Sequence, residues 1–436
     1  MMQTIRANGT DEFSFIERLK DRNREANDRI TASVEAIIRD VRLNGDAACN
    51  KYTLTFDAVL PDTLEVPGEI LQEAVESLDE TLLDAMQRAA ANIRDFHEKQ
   101  RPATYEIRKE NGIILGRKCR GLHRVGLYVP GGSAAYPSTV LMNVVPAKIA
   151  GVKEIIMVTP PQKDGCTDPA VLAAAKLAGV DRVFLVGGAQ AVAALAYGTE
   201  TIPKVDKIVG PGNKYVTIAK RLLYGEVDVD MIAGPSEILV LADETANPAF
   251  VAADLLSQAE HDVMASSILV THIPELAESV ITEIGRQTET LSRKEVILQA
   301  LENYGAILIT GDIEESIRIA NMLAPEHLEL MSDRAMAYVD RLDNAGSLFL
   351  GHYSPEPLGD YFAGPNHVLP TGFTARFFSP LSVESFLKYY SYTYYPKDEL
   401  IHAAPYICRL AEQEGFDAHA EAVAIRGRGN NDLPIE

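Results

Sequence analysis

The chain has 436 residues, 47% of them apolar and 24% charged, an ordinary globular balance too long for one small core and suggestive of two or three folded units. Its 62 acidic against 41 basic residues leave a formal charge of -21, a field that repels phosphate backbones and anionic lipid, so nucleic acid is excluded as an expected partner. Cys49, Cys119, Cys166 and Cys408 stand singly with no CxxC spacing, which fits a reducing compartment and offers no thiolate metal site.

The first residues, 1–24, are charged and lack the apolar core of a signal peptide. No apolar run reaches the roughly 18 residues that a membrane helix needs, so no membrane association is expected and the expected address is the cytoplasm. Residues 13–27, 30–43 and 70–97 read as helices. Residues 105–108 and 113–117 flank Asn111-Gly112, a pair that favours a hairpin turn.

From Val125 onward, short β-rich runs alternate with Ala-rich helical runs, the order that builds parallel sheets. The runs 125–129, 155–158, 183–186 and 207–209 form one set, and 238–241, 268–270, 306–309 and 347–350 a second. This predicts an α/β protein of two Rossmann-like units with parallel sheets, of similar design and so expected from duplication. After Leu350 comes a Gly/Pro-rich stretch, 351–370, then helix-like runs at 382–390 and 403–421. Those last elements cannot make a core alone, so an arm that docks on its own chain or a neighbour is expected. The expected division is residues 1–120 as N-terminal helices and hairpin, 121–235 and 236–375 as the α/β units, and 376–436 as the C-terminal arm.

Several segments carry candidate chemistry. Pro325 fixes its own φ and disfavours helix at Ala324, so the helical run 314–323 is predicted to end there and an extended segment to begin. Glu326 and His327 then stand side by side at a junction as proton handlers, unless they are only a solvated helix end. Gln258 and His261, three apart, share a helix face; His is a common zinc ligand and Gln an uncommon one, and a helix-end His meeting the last carbonyls is the plainer alternative. In the turn-forming run 359–367, Asp360 offers a hard oxygen and His367 a donor. Glu414 and His419 repeat the pairing of carboxylate and imidazole.

Glycine turns at 130–133, 187–190 and 210–213 could let a phosphate approach backbone N–H groups. None matches the G-x-G-x-x-G dinucleotide fingerprint, so each could equally be a tight connection.

Taken in order, six blocks resemble the histidinol dehydrogenase family: Gly126-Leu-Tyr-Val-Pro-Gly-Gly132, Gly210-Pro-Gly-Asn213, Ala233-Gly-Pro-Ser-Glu237, Ser257-Gln-Ala-Glu-His261, Ala324-Pro-Glu-His-Leu-Glu329, and Gly359-Asp360 with Gly364-Pro-Asn-His-Val-Leu-Pro-Thr371. The resemblance runs from about Val125 to His419. It implies a Zn2+ site of Gln258, His261, Asp360 and His419, a nitrogen/oxygen set suited to zinc. It implies Glu326 and His327 as the catalytic pair, His327 as the base during hydride loss and Glu326 as the base that activates water for a second oxidation. Substrate contacts would come from Ser236, His367 and Glu414 together with His327 and the four metal ligands, and NAD contacts from Tyr128, Gln190 and Asn213.

In the resembled family the C-terminal arm crosses into the partner subunit, which implies an obligate homodimer with shared sites. The implied activity is four-electron oxidation of L-histidinol to L-histidine through L-histidinal, the last two steps of histidine biosynthesis. Departures are small: Phe373 replaces a smaller expected residue, and the tail after Arg428 has no counterpart. Alternatives are a related zinc and NAD dehydrogenase for another hydroxylated substrate such as a sulfonated propanediol, a zinc hydrolase with Glu326 activating water, or a catalytically silent homologue. Glu414 and His367 favour the amino alcohol, since a sulfonate would call for Arg or Lys.

Overall fold

The computed structural model describes residues 2–22, 27–131 and 135–428. Among them the strands run, in chain order, β1 (Gln3–Arg6), β2 (Tyr105–Arg108), β3 (Ile114–Gly121), β4 (Arg124–Tyr128), β5 (Glu154–Thr159), β6 (Arg182–Leu185), β7 (Lys207–Val209), β8 (Asp228–Val229), β9 (Glu237–Ala242), β10 (Ser266–Thr271), β11 (Ala306–Ile309), β12 (His327–Met331), β13 (Ser347–Leu350) and β14 (Leu387–Tyr394). Strands β9 to β12 are buried at every position and β5 at all but its first, the pattern of strands covered on both faces.

Two all-parallel sheets result, one ordered β6-β5-β4-β7-β8 and the other β1-β11-β10-β9-β12-β13. Leaving aside β1, both sheets carry their strands in the order third, second, first, fourth, fifth. A shared order of this kind is what two copies of one βαβ design produce, as the alternating pattern of the sequence predicts. The intervening helices start on prolines at 137, 169, 248 and 274, where the missing N–H costs nothing. Asp168, Asn213, Asn247 and Asp312 cap helix starts by accepting from first-turn N–H groups.

Three local expectations change. The helical run 70–97 is two helices, Gly68–Ser77 and Glu80–His97, because Asp79 accepts from Leu82 N at 2.9 Å and starts a new one. The helix expected at 382–390 is a short 3-10 turn, Val383–Phe386, followed by β14, whose Tyr and Thr residues suit a pleated surface. The N-terminal β1, unforeseen, adds to the edge of the second sheet beside β11.

The chain divides into two compact units, Met1–Arg101 with Leu122–Phe386, and Pro102–Gly121 with Leu387–Glu436. The first holds both parallel sheets. The second holds an antiparallel sheet ordered β14-β3-β2 and the helices Lys397–Gln413 and Asp417–Ala424. Arg117 lies over the Tyr389 ring at 3.6 Å on that sheet. Among the described residues no helix is long and apolar enough to cross a membrane.

One glycine turn of the first sheet depends on a buried ion pair. Gly210 follows β7 at φ +103°, and a Cβ there would lie 2.1 Å from the Tyr128 carbonyl oxygen, so only glycine fits. Its N–H donates to Asp230 Oδ2 at 2.8 Å and its carbonyl accepts from Lys220 Nζ at 3.0 Å. Lys220 and Asp230, both buried, pair with each other. Removing one partner would strand the other charge. Lys220→Met should therefore cost about 3–5 kcal/mol, read as a lower urea midpoint, and an unchanged midpoint would show that the pair does not hold this turn.

Candidate active site

The two sheets present different edges. In the first, Tyr128 ends β4, Gln190 lies in the helix after β6, and Asn213 follows β7, so all three sit at the carboxyl edge, near the reversal of strand order between β4 and β7. The Tyr128 hydroxyl accepts from Gly188 N at 3.0 Å, and burial pushes its pKa up to about 12. Gln190 is buried, with Oε1 lacking a protein partner. Asn213 is exposed and caps its helix through Tyr215 N at 3.0 Å. An unpaired amide oxygen beside a close backbone turn fits a polar ligand such as a dinucleotide. Of the turn at 130–133, residues 132 and 133 lie outside the described residues.

In the second sheet the candidate residues gather at the amino edge. The helix Pro248–Ala259 returns the chain from the far end of β9, which brings Gln258 and His261 back to where the strands start. The helix Ile313–Leu323 ends on Ala324 in the left-handed region, φ +44°, and β12 begins at His327, as Pro325 predicts. Asp360 comes from a short helix, Glu356–Tyr361, after β13. Ser236, half-buried, enters β9, and its carbonyl accepts from Ser266 N at 3.0 Å.

The backbone of one residue, Glu237, holds both Glu326 and His327. Glu237 N donates to Glu326 Oε2 at 2.9 Å, while the Glu237 carbonyl oxygen lies 3.0 Å from His327 Nδ1. A carbonyl can only accept, so Nδ1 carries the proton and Nε2 of the neutral ring is the free lone pair. That Nε2 is buried without a hydrogen-bond partner, 3.8 Å from both Glu356 Oε1 and Asp360 Oδ1. Burial holds His327 below the usual histidine range, which keeps it neutral and able to accept a proton at neutral pH. Burial, then the charges of Glu237 and Asp360, pushes Glu326 well above the usual carboxylate range.

His261, Glu356 and Asp360 offer ligand atoms that all lie within 4.8 Å of one another. Gln258 Oε1 and Glu356 Oε1 are, like His327 Nε2, buried atoms with no protein partner. Orphaned oxygens beside an imidazole and a second carboxylate fit a divalent cation such as zinc. His367 Nδ1 lies 3.0 Å from the Asp360 carbonyl oxygen, which fixes the other ring nitrogen as acceptor. His327, Phe349, Asp360, Asn366 and His367 line a cavity of about 280 Å³. Glu414 and His419 belong to the second compact unit, where both are exposed.

The structure adds residues that sequence reasoning passed over. Glu237, Asp254, Glu329 and Glu356 are buried carboxylates: Glu329 Oε1 accepts from Glu356 N at 2.7 Å, and Ser257 Oγ lies 3.5 Å from Glu356 Oε2. Burial, then Asp360, pushes Glu356 up to about 10, and burial pushes Asp254 up to about 6. Two spacings carried the signal. Glu329 is two residues from His327 in a strand, so both point the same way, and Glu356 precedes Asp360 by four on a helix. Phe373 sits in the left-handed region with Lys20 Nζ 5.6 Å above its ring.

A family model described as histidinol dehydrogenase matches residues 20–427. Histidinol dehydrogenase of Clostridium acetobutylicum is 54% identical over 426 residues, covering 98% of this chain and 99% of that protein. That of Geobacillus kaustophilus is 55% identical over 390 residues, covering 89% and 92%. The crystal structure of histidinol dehydrogenase from Elizabethkingia anophelis superposes with a TM-score of 0.92 at 39% identity, covering 99% of each chain. With a match this long and this even, the chain belongs to the histidinol dehydrogenase family of oxidoreductases.

Proposed function

We propose that this enzyme oxidises L-histidinol to L-histidine in two successive steps at one site, with NAD and Zn2+. The observation that carries the reading is His327, locked by the Glu237 carbonyl into the tautomer whose Nε2 faces Asp360 without a partner. An alcohol gives up hydride readily only when its O–H proton also leaves, and Nε2 is placed to take it. The aldehyde must then add water before a second hydride can depart. Glu326 is the base for that water, its second oxygen already held by Glu237 N. Overall, histidinol, two NAD+ and one water become histidine, two NADH and protons.

Tyr128, Gln190 and Asn213 would hold NAD, which would supply the hydride acceptor. Zinc, assigned to Gln258, His261, Asp360 and His419, would template the substrate and act as Lewis acid. Ser236, His367 and Glu414 are assigned to the substrate, Glu414 to its cationic amino group. Among the described residues no Lys or Arg lines the cavity, which speaks against a sulfonated diol. His419 and Glu414 would reach the site of a partner subunit in a homodimer.

Two NAD should be reduced per histidinol, and Glu326→Gln should stop after one, releasing aldehyde. A one-to-one ratio in the parent enzyme without aldehyde would refute the two-step reading. Loss of the alcohol step on acidification should begin only below the usual histidine range, because burial holds the His327 base neutral there.

His261→Asn should weaken zinc binding, measured against a chelator, by more than the roughly 10–100-fold that loss of a ligand's supporting group costs. Full activity in metal-free protein would remove zinc from the account.

Mixing and refolding together the separately inactive His327→Asn and His419→Asn chains should restore activity, since a hybrid dimer would keep one intact site. Recovery no greater than either parent would exclude the crossing arm.

A further inference from the structure

The helix Asp11–Asp21 delivers Arg22, whose side chain is 1% exposed, to the same edge of the second sheet. Its guanidinium Nη2 pairs with Glu237 Oε1 at 2.8 Å and lies 3.4 Å from the Pro235 carbonyl; Nη1 donates to the Met264 carbonyl at 2.9 Å. One planar group therefore ties together the carboxylate that starts β9 and the segments that lead into β9 and β10. The Gly372 N–H also reaches the Glu237 carboxylate. Tyr304 lies against the guanidinium, 5.4 Å from ring centre to carbon.

Glu237 is the residue whose N–H holds Glu326 and whose carbonyl holds His327. Its side chain is one-tenth exposed, so without a partner the carboxylate would have to take a proton or move, and its backbone would move with it. The groups that act electrostatically on Glu326 are Glu237 and Asp360, both negative, and Arg22, the cation that opposes them, with His327 Nδ1 3.7 Å away. Lysine could supply the charge but not the fork that reaches one carboxylate and two carbonyls together.

We propose that Arg22 is a positioning residue for the oxidation, gripping Glu237 so that the backbone N–H and carbonyl of that one residue present Glu326 and His327 in working orientation. The inference rests on the assignment of those two residues as the bases. It gives the N-terminal helix a role in chemistry as well as in packing.

The test uses full-length, zinc-loaded Arg22→Met, Arg22→Lys and Glu237→Gln, each assayed for NAD reduction with histidinol and separately with histidinal across pH. Arg22→Met should lower kcat for aldehyde oxidation by about tenfold to a hundredfold, the usual consequence of a small misplacement, with KM little changed. Its acid limb for that step should move to higher pH, because a cation that favours the ionised Glu326 is gone. Glu237→Gln removes a negative neighbour and should move the limb the other way. Arg22→Lys should restore the limb but not the whole of kcat.

An Arg22→Met enzyme with parent kcat in both steps and an unmoved limb overturns the inference. So does an equal loss in both steps with an unmoved limb, which would mean only fewer folded molecules. If Arg22→Met does not fold, Arg22→Lys and Glu237→Gln decide: the limbs must differ as stated, and coincident profiles refute it. Failure of the parent reading looks different, since Glu326→Gln would then oxidise added aldehyde at the parent rate.

Discussion

Crowding carboxylates into a dry sheet edge is the constraint on which this site depends. Glu237, Glu326, Glu329, Glu356 and Asp254 are all buried within one unit, and Asp360 lines the cavity beside His327. A buried carboxylate must be neutralised by a proton, a cation or a set of donors. Each solution occurs here. Glu237 has Arg22, Glu326 and Glu329 each accept a backbone N–H, and Asp254 and Glu356 are held toward their protonated forms by burial. The oxygens left over, those of Gln258 and Glu356, point to a role for a divalent cation as the remaining neutraliser.

Sheet topology explains how these groups come together from distant parts of the sequence. In a parallel sheet every helix returns the chain from the carboxyl to the amino edge, so helix ends and strand starts meet there. Gln258 at a helix end, Glu237 and His327 at adjacent strand starts, and Asp360 beyond β13 are brought together by that rule. The first sheet leaves its opposite, carboxyl edge available, where tight turns carry Gln190 and Asn213. Two units of one design thus present unlike edges for unlike tasks.

Most of the architecture is legible in the sequence because parallel strands covered on both faces are continuous apolar runs. The eight runs read between 125 and 350 all fall on strands of the two sheets. Chemistry-bearing side chains are legible where their neighbours are distinctive, as at Pro325-Glu326-His327. Arg22 has no such context: it is one basic residue at the end of a polar helix, and only tertiary folding reveals that it meets Glu237 across 215 positions. Likewise β1 is four residues long, too short for alternation to declare it, and exists through pairing with β11. The helix expected at 382–390 gives way from Leu387 to a strand, whose pairing with β3 decides its conformation.

The opposite demands of Glu326 and His327 are met by what the backbone of one residue offers. Each residue carries one backbone donor and one acceptor, which point the same way in a strand, and Glu237 turns its N–H to Glu326 and its carbonyl to His327. The N–H can stabilise a carboxylate and so opposes the burial that would keep Glu326 protonated. The carbonyl can hold only a protonated ring nitrogen and so leaves the opposite nitrogen basic. Exchanging the two side chains would lose both effects, since an imidazole N–H facing the amide N–H and a carboxylate facing the carbonyl would each meet a like partner. The order Glu-His is therefore set by the polarity of the strand beside it, and the adjacency of the two residues matches the spacing of the N–H and carbonyl of the single residue Glu237.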